Sequence, residues 1–207
     1  FVNPFFFSRG MGPIYPVYAF DPAKPGTFLL DSNGNKRWDY GNLNALGLPN
    51  RPQYGGRHAI AETLMNTNDF RRNVFTGRTY ADFSFLKDFK LTLNAGLDYT
   101  NRYDNTFQNP EIGDGAPAGR ATTRYFNGTS LNLGQILNYK KQINRHTFDV
   151  LLGHESFHLQ NNELTGSRSQ LIAAGNTDLV NFTTTTDLSS ITDNRSIEGY
   201  FSRLNYD

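Results

Sequence analysis

Phe89 to Thr100, FKLTLNAGLDYT, is the stretch that most limits what this chain can become. Phe89, Leu91, Leu93, Ala95, Leu97 and Tyr99 fall on one parity, and Lys90, Thr92, Asn94, Gly96, Asp98 and Thr100 on the other. Successive side chains of a strand point to opposite faces, so this spacing predicts a strand with one apolar and one polar side. It continues to about Asn105, past the ~5–6 residues usual in globular proteins. An apolar strand face has to be covered, and the rest of the chain bears on what covers it.

The neighbouring segments repeat the pattern. In Val74 to Phe85, Phe75, Gly77, Thr79, Ala81, Phe83 and Phe85 alternate with Thr76, Arg78, Tyr80, Asp82 and Ser84. Leu86-Lys87-Asp88 then makes a tight connection, which predicts a hairpin. Leu131, Leu133, Leu137 and Tyr139 share one parity, and Phe148, Val150 and Leu152 another, with a polar turn across Lys140 to His146. Tyr200, Ser202, Leu204 and Tyr206 close the series. Connections near 107–122 and 160–195 read as long, polar loops rich in Gly, Asn and Thr. Residues 1–66 read as mostly loop, with many prolines and one small hairpin, Thr27 to Asp39, turning at Asn33-Gly34. The expected division is therefore a loop region over 1–66 and sheet strands over 67–207.

Composition narrows the class. Apolar residues are 37% and mean hydropathy is −0.56, yet aromatics reach 14%. That balance suits a sheet greasy on one face and wet on the other. A formal charge of +1 gives no bulk pull toward nucleic acid. The absence of cysteine removes disulfides, thiol nucleophiles and Cys-zinc sites. No apolar run is long enough for a membrane helix. The chain opens FVNPFFFSRG, without an initiating Met or a basic leader, and is expected to be an interior piece or a mature product.

Short and long connections alternating between long, one-sided strands are how a transmembrane β-barrel is built. Structureless loops of such length argue against a compact soluble domain. The fold expected is all-β: an antiparallel transmembrane β-barrel, present in part as about five strands. Leu, Phe, Ala and Tyr of one parity would face lipid, while Arg78, Asp82, Lys90, Asp98, Arg203 and Asp207 would face a wet lumen. Tyr99, Tyr139 and Tyr206 would sit in interfacial aromatic girdles. The alternative is a soluble β-sandwich whose second layer covers the apolar parity.

His154-Glu155-Ser156-Phe157-His158 matches H-E-x-x-H, the zinc-protease pattern, which requires a helix. Phe148, Val150 and Leu152 alternate and Gly153 interrupts, so a strand is expected instead. There, residues four apart stand about 13 Å from each other and cannot share one zinc. Asp31-Ser32-Asn33-Gly34-Asn35 hints at a calcium loop, but Lys36 and Asn42 occupy its required Gly and Glu positions, and a plain turn is expected. Glu62, Glu111, Glu155, Glu163 and Glu198 show no relation that would pair carboxylates for hydrolysis. No catalytic residue, metal or cofactor is assigned. Tyr15, Tyr18, Trp38, Tyr40 and Tyr54 lie in loop-like sequence among Asn, Asp and Arg. Such aromatics serve sugar recognition, or pack a long loop on itself or on a lid protein. Trp38, Tyr40, Tyr15 and Tyr18 are the candidate ligand-binding residues.

Asn3-Pro4-Phe5-Phe6-Phe7 through Gly12-Pro13-Ile14-Tyr15-Pro16-Val17-Tyr18 resembles a passage of the SusC/RagA family of TonB-dependent outer-membrane transporters. FLLDSNGNKRWDYG at Phe28–Gly41 is similar in style, and LLGHE at Leu151–Glu155 and GYFSRLNYD at Gly199–Asp207 look like that family's barrel strands. The resemblance implies a plugged barrel of about 22 strands in the bacterial outer membrane. It also implies a SusD-like surface lipoprotein as lid, TonB as energy source, and a glycan or oligopeptide as cargo. No plug and no TonB-contacting segment is visible, so the chain would be a mid-barrel portion. The readings that stand are three: part of a transporter, a soluble carbohydrate-binding sheet, or a metalloenzyme built on His154, Glu155 and His158.

Overall fold

The computed structural model describes residues 3–11 and 15–207. Its main element is one antiparallel sheet whose strands lie in sequence order. These are β1 (Thr67–Phe85), β2 (Phe89–Gln108), β3 (Arg120–Ile143), β4 (His146–Leu171) and β5 (Phe182–Tyr206). β1 and β5 each pair on one side only, so the sheet is an open section of a barrel. The tight turns fall where polar residues interrupt the alternation. Leu86 and Lys87 take left-handed φ of 48° and 59°, and Asn144 takes 56°. Gly12, Pro13 and Ile14 of the family-like passage lie outside the described residues.

The strands run farther than the sequence reading placed them. β3 begins at Arg120, β4 continues to Leu171 and β5 starts at Phe182. The connection expected over 160–195 is therefore only 172–181, while that near 107–122 is 109–119. The hidden stretches, such as TTRYFNGTS and TTTTDLSSITDNRS, are polar on both parities. Their ladder hydrogen bonds and β-branched residues hold them extended without an apolar face. Residues 1–66 also contain two short helices, α1 (Pro4–Gly10) and α2 (Ala59–Met65), where loop was expected. In α2, Ala, Leu, Met and Glu favour helix, and the His58 ring caps its start by accepting from Ala61 N at 3.1 Å.

Contacts divide the chain into two units. One holds the residues up to Asp69 with Asn105–Thr123 and Gly166–Asp187; the other holds Phe70–Asp104, Arg124–Thr165 and Leu188–Asp207. The buried apolar side chains Phe7, Ala19, Ala61, Ile112, Ala121 and Phe182 all belong to the first unit. The second unit is bare wall, and Phe75, Phe83, Leu93, Leu97, Leu131, Leu133 and Leu152 stand exposed on it.

The two faces of that wall differ as the alternation requires. On one face Arg78 pairs with Asp98 (2.7 Å) and Lys90 with Asp82 (3.0 Å), and Arg124 pairs with Glu163 (2.5 Å). Thr92 and Ser130 add hydroxyl donors to Asp82 and Asp98. On the other face, Phe85 stacks on Phe89, and Phe89 meets Tyr139 at 4.7 Å. Tyr206 packs on Phe148 and His146 beside the second tight turn. Farther along, the Tyr99 hydroxyl accepts from Asn127 and the Tyr125 hydroxyl from Asn101. From Phe89 to Tyr99, at ~3.3 Å per residue and a tilt of ~40°, the rise is about 25 Å, the height of an apolar band between aromatic girdles.

The apolar face is interrupted on β4 and β5. His154 bonds Gln135 at 2.5 Å and pairs with Glu198, and its ring stacks on Tyr200 at 4.6 Å. His158 Nδ1 bonds Ser196 Oγ at 2.9 Å. These polar groups bond one another across β3, β4 and β5, and Gln135 stands between Leu133 and Leu137 on the apolar parity.

Leu133 and Asn132 are neighbours on β3 with opposite facing. Leu133→Arg is expected to lower the unfolding stability of the intact protein in lipid vesicles by about 2–4 kcal/mol, and Asn132→Arg by about 1 kcal/mol or less. Denaturant titration of both variants checks the assignment, and equal losses contradict it.

Candidate functional site

The loop aromatics gather around three short extended segments that pair with one another. Tyr18 bridges Trp38, Phe20 bridges Phe28, and Leu30 bridges Lys36. Ala19 N donates to Arg37 O, Leu29 N to Ala19 O, and Arg37 N to Leu29 O, all at 2.8–2.9 Å. The hairpin turns at Asn33-Gly34 as its sequence predicts, with Gly34 at φ +82°. Asp31 Oδ1 accepts the backbone N–H groups of Asn33 and Asn35, each at 2.8 Å. Those N–H groups, Asn35 first, hold the Asp31 carboxyl below its ordinary range. The carboxylate is thus spent on the turn, not aimed outward as a calcium ligand.

Tyr18 stacks on Trp38 at 4.8 Å and meets Phe28 edge-on at 5.9 Å. The His58 ring also touches Trp38, at 5.2 Å. Lys36 Nζ lies 4.3 Å from the Phe28 centroid and 5.4 Å from that of Tyr18. Tyr40 Oη donates to Glu111 Oε2 at 3.1 Å. Burial first, and the Glu111 charge second, push the Tyr40 hydroxyl well above the usual phenol range. Tyr18, Lys36, Arg37, Trp38, Tyr40 and Glu111 line a cavity of about 1020 Å³. Three of the four candidate residues therefore converge. Tyr15 does not join them: it sits under the Arg51 guanidinium at 4.8 Å and lines a smaller cavity of about 150 Å³.

Glu111 reaches the cavity because connection 109–119 is fastened to α2. Asn66 Oδ1 accepts both the backbone N–H and the side-chain amide of Asn109, at 2.8 and 2.7 Å. Asn109 Oδ1 in turn accepts from the N–H groups of Glu111 and Ile112. Glu62, 1% exposed, is held by Arg57 Nε at 2.9 Å and the His58 N–H at 3.0 Å. Arg57 also pairs with Asp114 and lowers its pKa. Gly113 N donates to Gly56 O, and Gly113 has φ +76° where any added β-carbon would clash with the Glu62 carboxylate. Sequence reasoning missed Glu111, Arg37 and Lys36 as site residues. The Tyr40–Glu111 contact spans 71 positions and leaves no local signal.

The H-E-x-x-H residues lie on β4, within an extended strand. His154 and His158 share a face, engaged by Glu198 and Ser196, while Glu155 lines a trough on the opposite face beside Gly134 and Asn94. The helical geometry that a zinc protease requires is not there. Among the described residues, no three His, Asp or Glu side chains are grouped to hold a metal.

No protein-family model matches the chain. It is 29% identical over 154 residues to TonB-dependent receptor P26 of Formosa agariphila, covering 71% of this chain and 16% of that protein. Among solved structures, the RagAB peptide importer in its "open-open" state superposes with a TM-score of 0.60 at 22% identity, over 86% of this chain and 19% of that one. Its "closed-closed" state gives 0.58 at 23% identity, over 69% and 16%. The fold is thus that of a section of the barrel seen in the RagAB importers, and the resemblance to the SusC/RagA family is borne out as a likeness. The chain spans about one sixth of the curated relative's length.

Gly113→Ala is expected to cost about 1–3 kcal/mol, from a left-handed φ and a clash with Glu62. The change should open connection 109–119 to limited proteolysis. The His58 cap carries a pH dependence. Its Nδ1 accepts from Ala61 N, so the ring proton sits on Nε2, which donates to Val17 O at 3.1 Å. Burial, chiefly, pushes its pKa below the ordinary 6.5. The unfolded chain binds the extra proton first, so stability present above about pH 6.5 is lost as pH falls toward the depressed value. Hydrogen-exchange protection at Ala61 and Glu62 should drop over that window, and His58→Asn, which still caps, should flatten the drop.

Proposed function

We propose that the chain is one section of the wall of a TonB-dependent outer-membrane transporter of the SusC/RagA type, importing a bulky nutrient, a glycan or an oligopeptide. One observation carries the reading: a sheet whose apolar face no described protein layer covers, on the fold of the RagAB importers. Lipid covers such a face when the barrel is closed. In this reading the closing strands, the plug and the TonB-contacting segment belong to the rest of a longer protein. A SusD-like surface lipoprotein lids the barrel, as the family resemblance implies. The chain has no chemistry of its own, in keeping with relatives that are a receptor and an importer. A soluble carbohydrate-binding sheet would need a second layer over Leu91, Leu93 and Leu97, and the described residues supply none.

The aromatic cavity around Tyr18, Trp38 and Tyr40 is the proposed contact for cargo. Uptake of the nutrient by cells carrying the intact protein should stop when TonB is deleted. Trp38→Ala should weaken equilibrium binding of that nutrient by roughly tenfold, about 1.4 kcal/mol. TonB-independent uptake, or an intact protein that stays in solution without detergent, contradicts the proposal.

A further inference from the structure

We infer that His58 is a positioning residue for the aromatic wall of the cargo cavity, and that a proton on its ring releases that wall. The inference rests on the cargo reading of the cavity and adds its regulation. His58 is 5% exposed, and its ring is held at three points. Nε2 donates to Val17 O at 3.1 Å, Nδ1 accepts from Ala61 N at 3.1 Å, and the ring meets Trp38 at 5.2 Å. Val17 O also accepts from Asp39 N at 3.2 Å. That bond lies beside the Tyr18–Trp38 bridge, so His58 fastens the pairing that stacks the two rings. Tyr18 and Trp38 line the cavity and His58 does not; it acts through them.

Only the neutral ring fits this place. In an imidazolium both nitrogens are donors, so Nδ1 would face the Ala61 N–H donor to donor. The start of α2 would lose its cap, and the ring would have to turn. The cavity of about 150 Å³ that His58 lines with Met11, Tyr15 and Ile60 gives it room. Turning takes Nε2 from Val17 O and the ring from Trp38, and the wall loses its support. The surroundings set where this happens. Burial disfavours the charged ring most and Arg51, with its side chain 3% exposed, adds to it, while the Val17 carbonyl and Asp39 act the other way. Glu62 of α2 is also near, but its Oε1 accepts from Arg57 Nε and the His58 N–H. The net direction is downward, so the ring is neutral at pH 7 and charges only below its ordinary 6.5. Proton and cargo then exclude one another, each weakening the other by the same factor.

The test follows Trp38 in the intact transporter in detergent, labelled with 5-fluorotryptophan, its fluorine resonance assigned with Trp38→Phe. Between about pH 7.5 and 5, a range that leaves ordinary carboxylates charged, the resonance should move with a one-proton profile whose midpoint lies below about 6.5. His58→Ala should hold it near the low-pH position throughout. His58→Asn keeps the cap and His58→Gln reaches as far as Nε2; neither titrates, so in both the resonance should stay still. Binding is then measured with two probes that carry no titrating group, a neutral hexasaccharide and an end-blocked hexapeptide of Gly, Ser and Asn. Binding that depends on Trp38 should be roughly fivefold weaker at about pH 5 than at about pH 7.5, and equal at both in His58→Gln. A Trp38 resonance that ignores pH, or that still titrates in the asparagine and glutamine variants, overturns the inference and leaves the import reading standing. A resonance that titrates as expected, with probe binding indifferent to Trp38→Ala, keeps the positioning role and removes the cavity as the contact for cargo.

Discussion

An apolar sheet face is stable only if something other than water lies against it, and in this protein the described chain does not supply that cover. Among the described residues the buried apolar side chains lie in the unit of loops, helices and strand ends, while the unit of bare wall exposes Phe and Leu along one face. Burying such surface is worth ~25 cal/mol per Å², so leaving it to water over strands of this length would cost more than a domain's whole margin of stability. Hydrocarbon resolves the problem without a second layer. The opposite face then has to be wet, and it carries Arg78–Asp98, Lys90–Asp82 and Arg124–Glu163. Exposed pairs of this kind add little stability each. Their use here is to keep charges compatible with a water-filled interior.

The loop unit solves a different problem. Its segments are short and irregular, so their order comes from polar nodes rather than from a broad core. Glu62 is buried and tied to Arg57 and the His58 N–H, and Gly113 closes over it. Asn109 and Asn66 clamp the same connection. Together they hold Glu111 at Tyr40, and so shape one wall of the cavity. Removing one member of such a node costs more than its own hydrogen bond, because a buried carboxylate is left unmatched.

Legibility from the sequence follows from these two regimes. The core of β2, the turn at Leu86-Lys87-Asp88 and the Asn33-Gly34 hairpin were readable, because period-two patterning and turn chemistry are local. The outer lengths of β3, β4 and β5 were not. Stretches such as Thr183–Ser196 are polar on both parities, so nothing in their pattern separates an extended ladder from a loop. Helix α2 is too short for its periodicity to register, and its cap is an imidazole. At the candidate site, Trp38, Tyr40 and Tyr18 stood out by residue type. Tyr15 did so equally and lies elsewhere, under Arg51. Glu111 was invisible as a site residue because its role depends on a contact made only on folding.

The facing of β2 is the claim on which the account turns, and site-directed spin labelling tests it directly. Single cysteines from Lys90 to Thr100 in the intact protein, reconstituted in lipid vesicles, would be labelled and probed for collision with oxygen and with a water-soluble nickel chelate. Oxygen accessibility should peak at 91, 93, 95, 97 and 99, and nickel accessibility at 90, 92, 94, 96, 98 and 100. Accessibility without a period of two, or odd positions shielded from both probes by a covering protein layer, would contradict it.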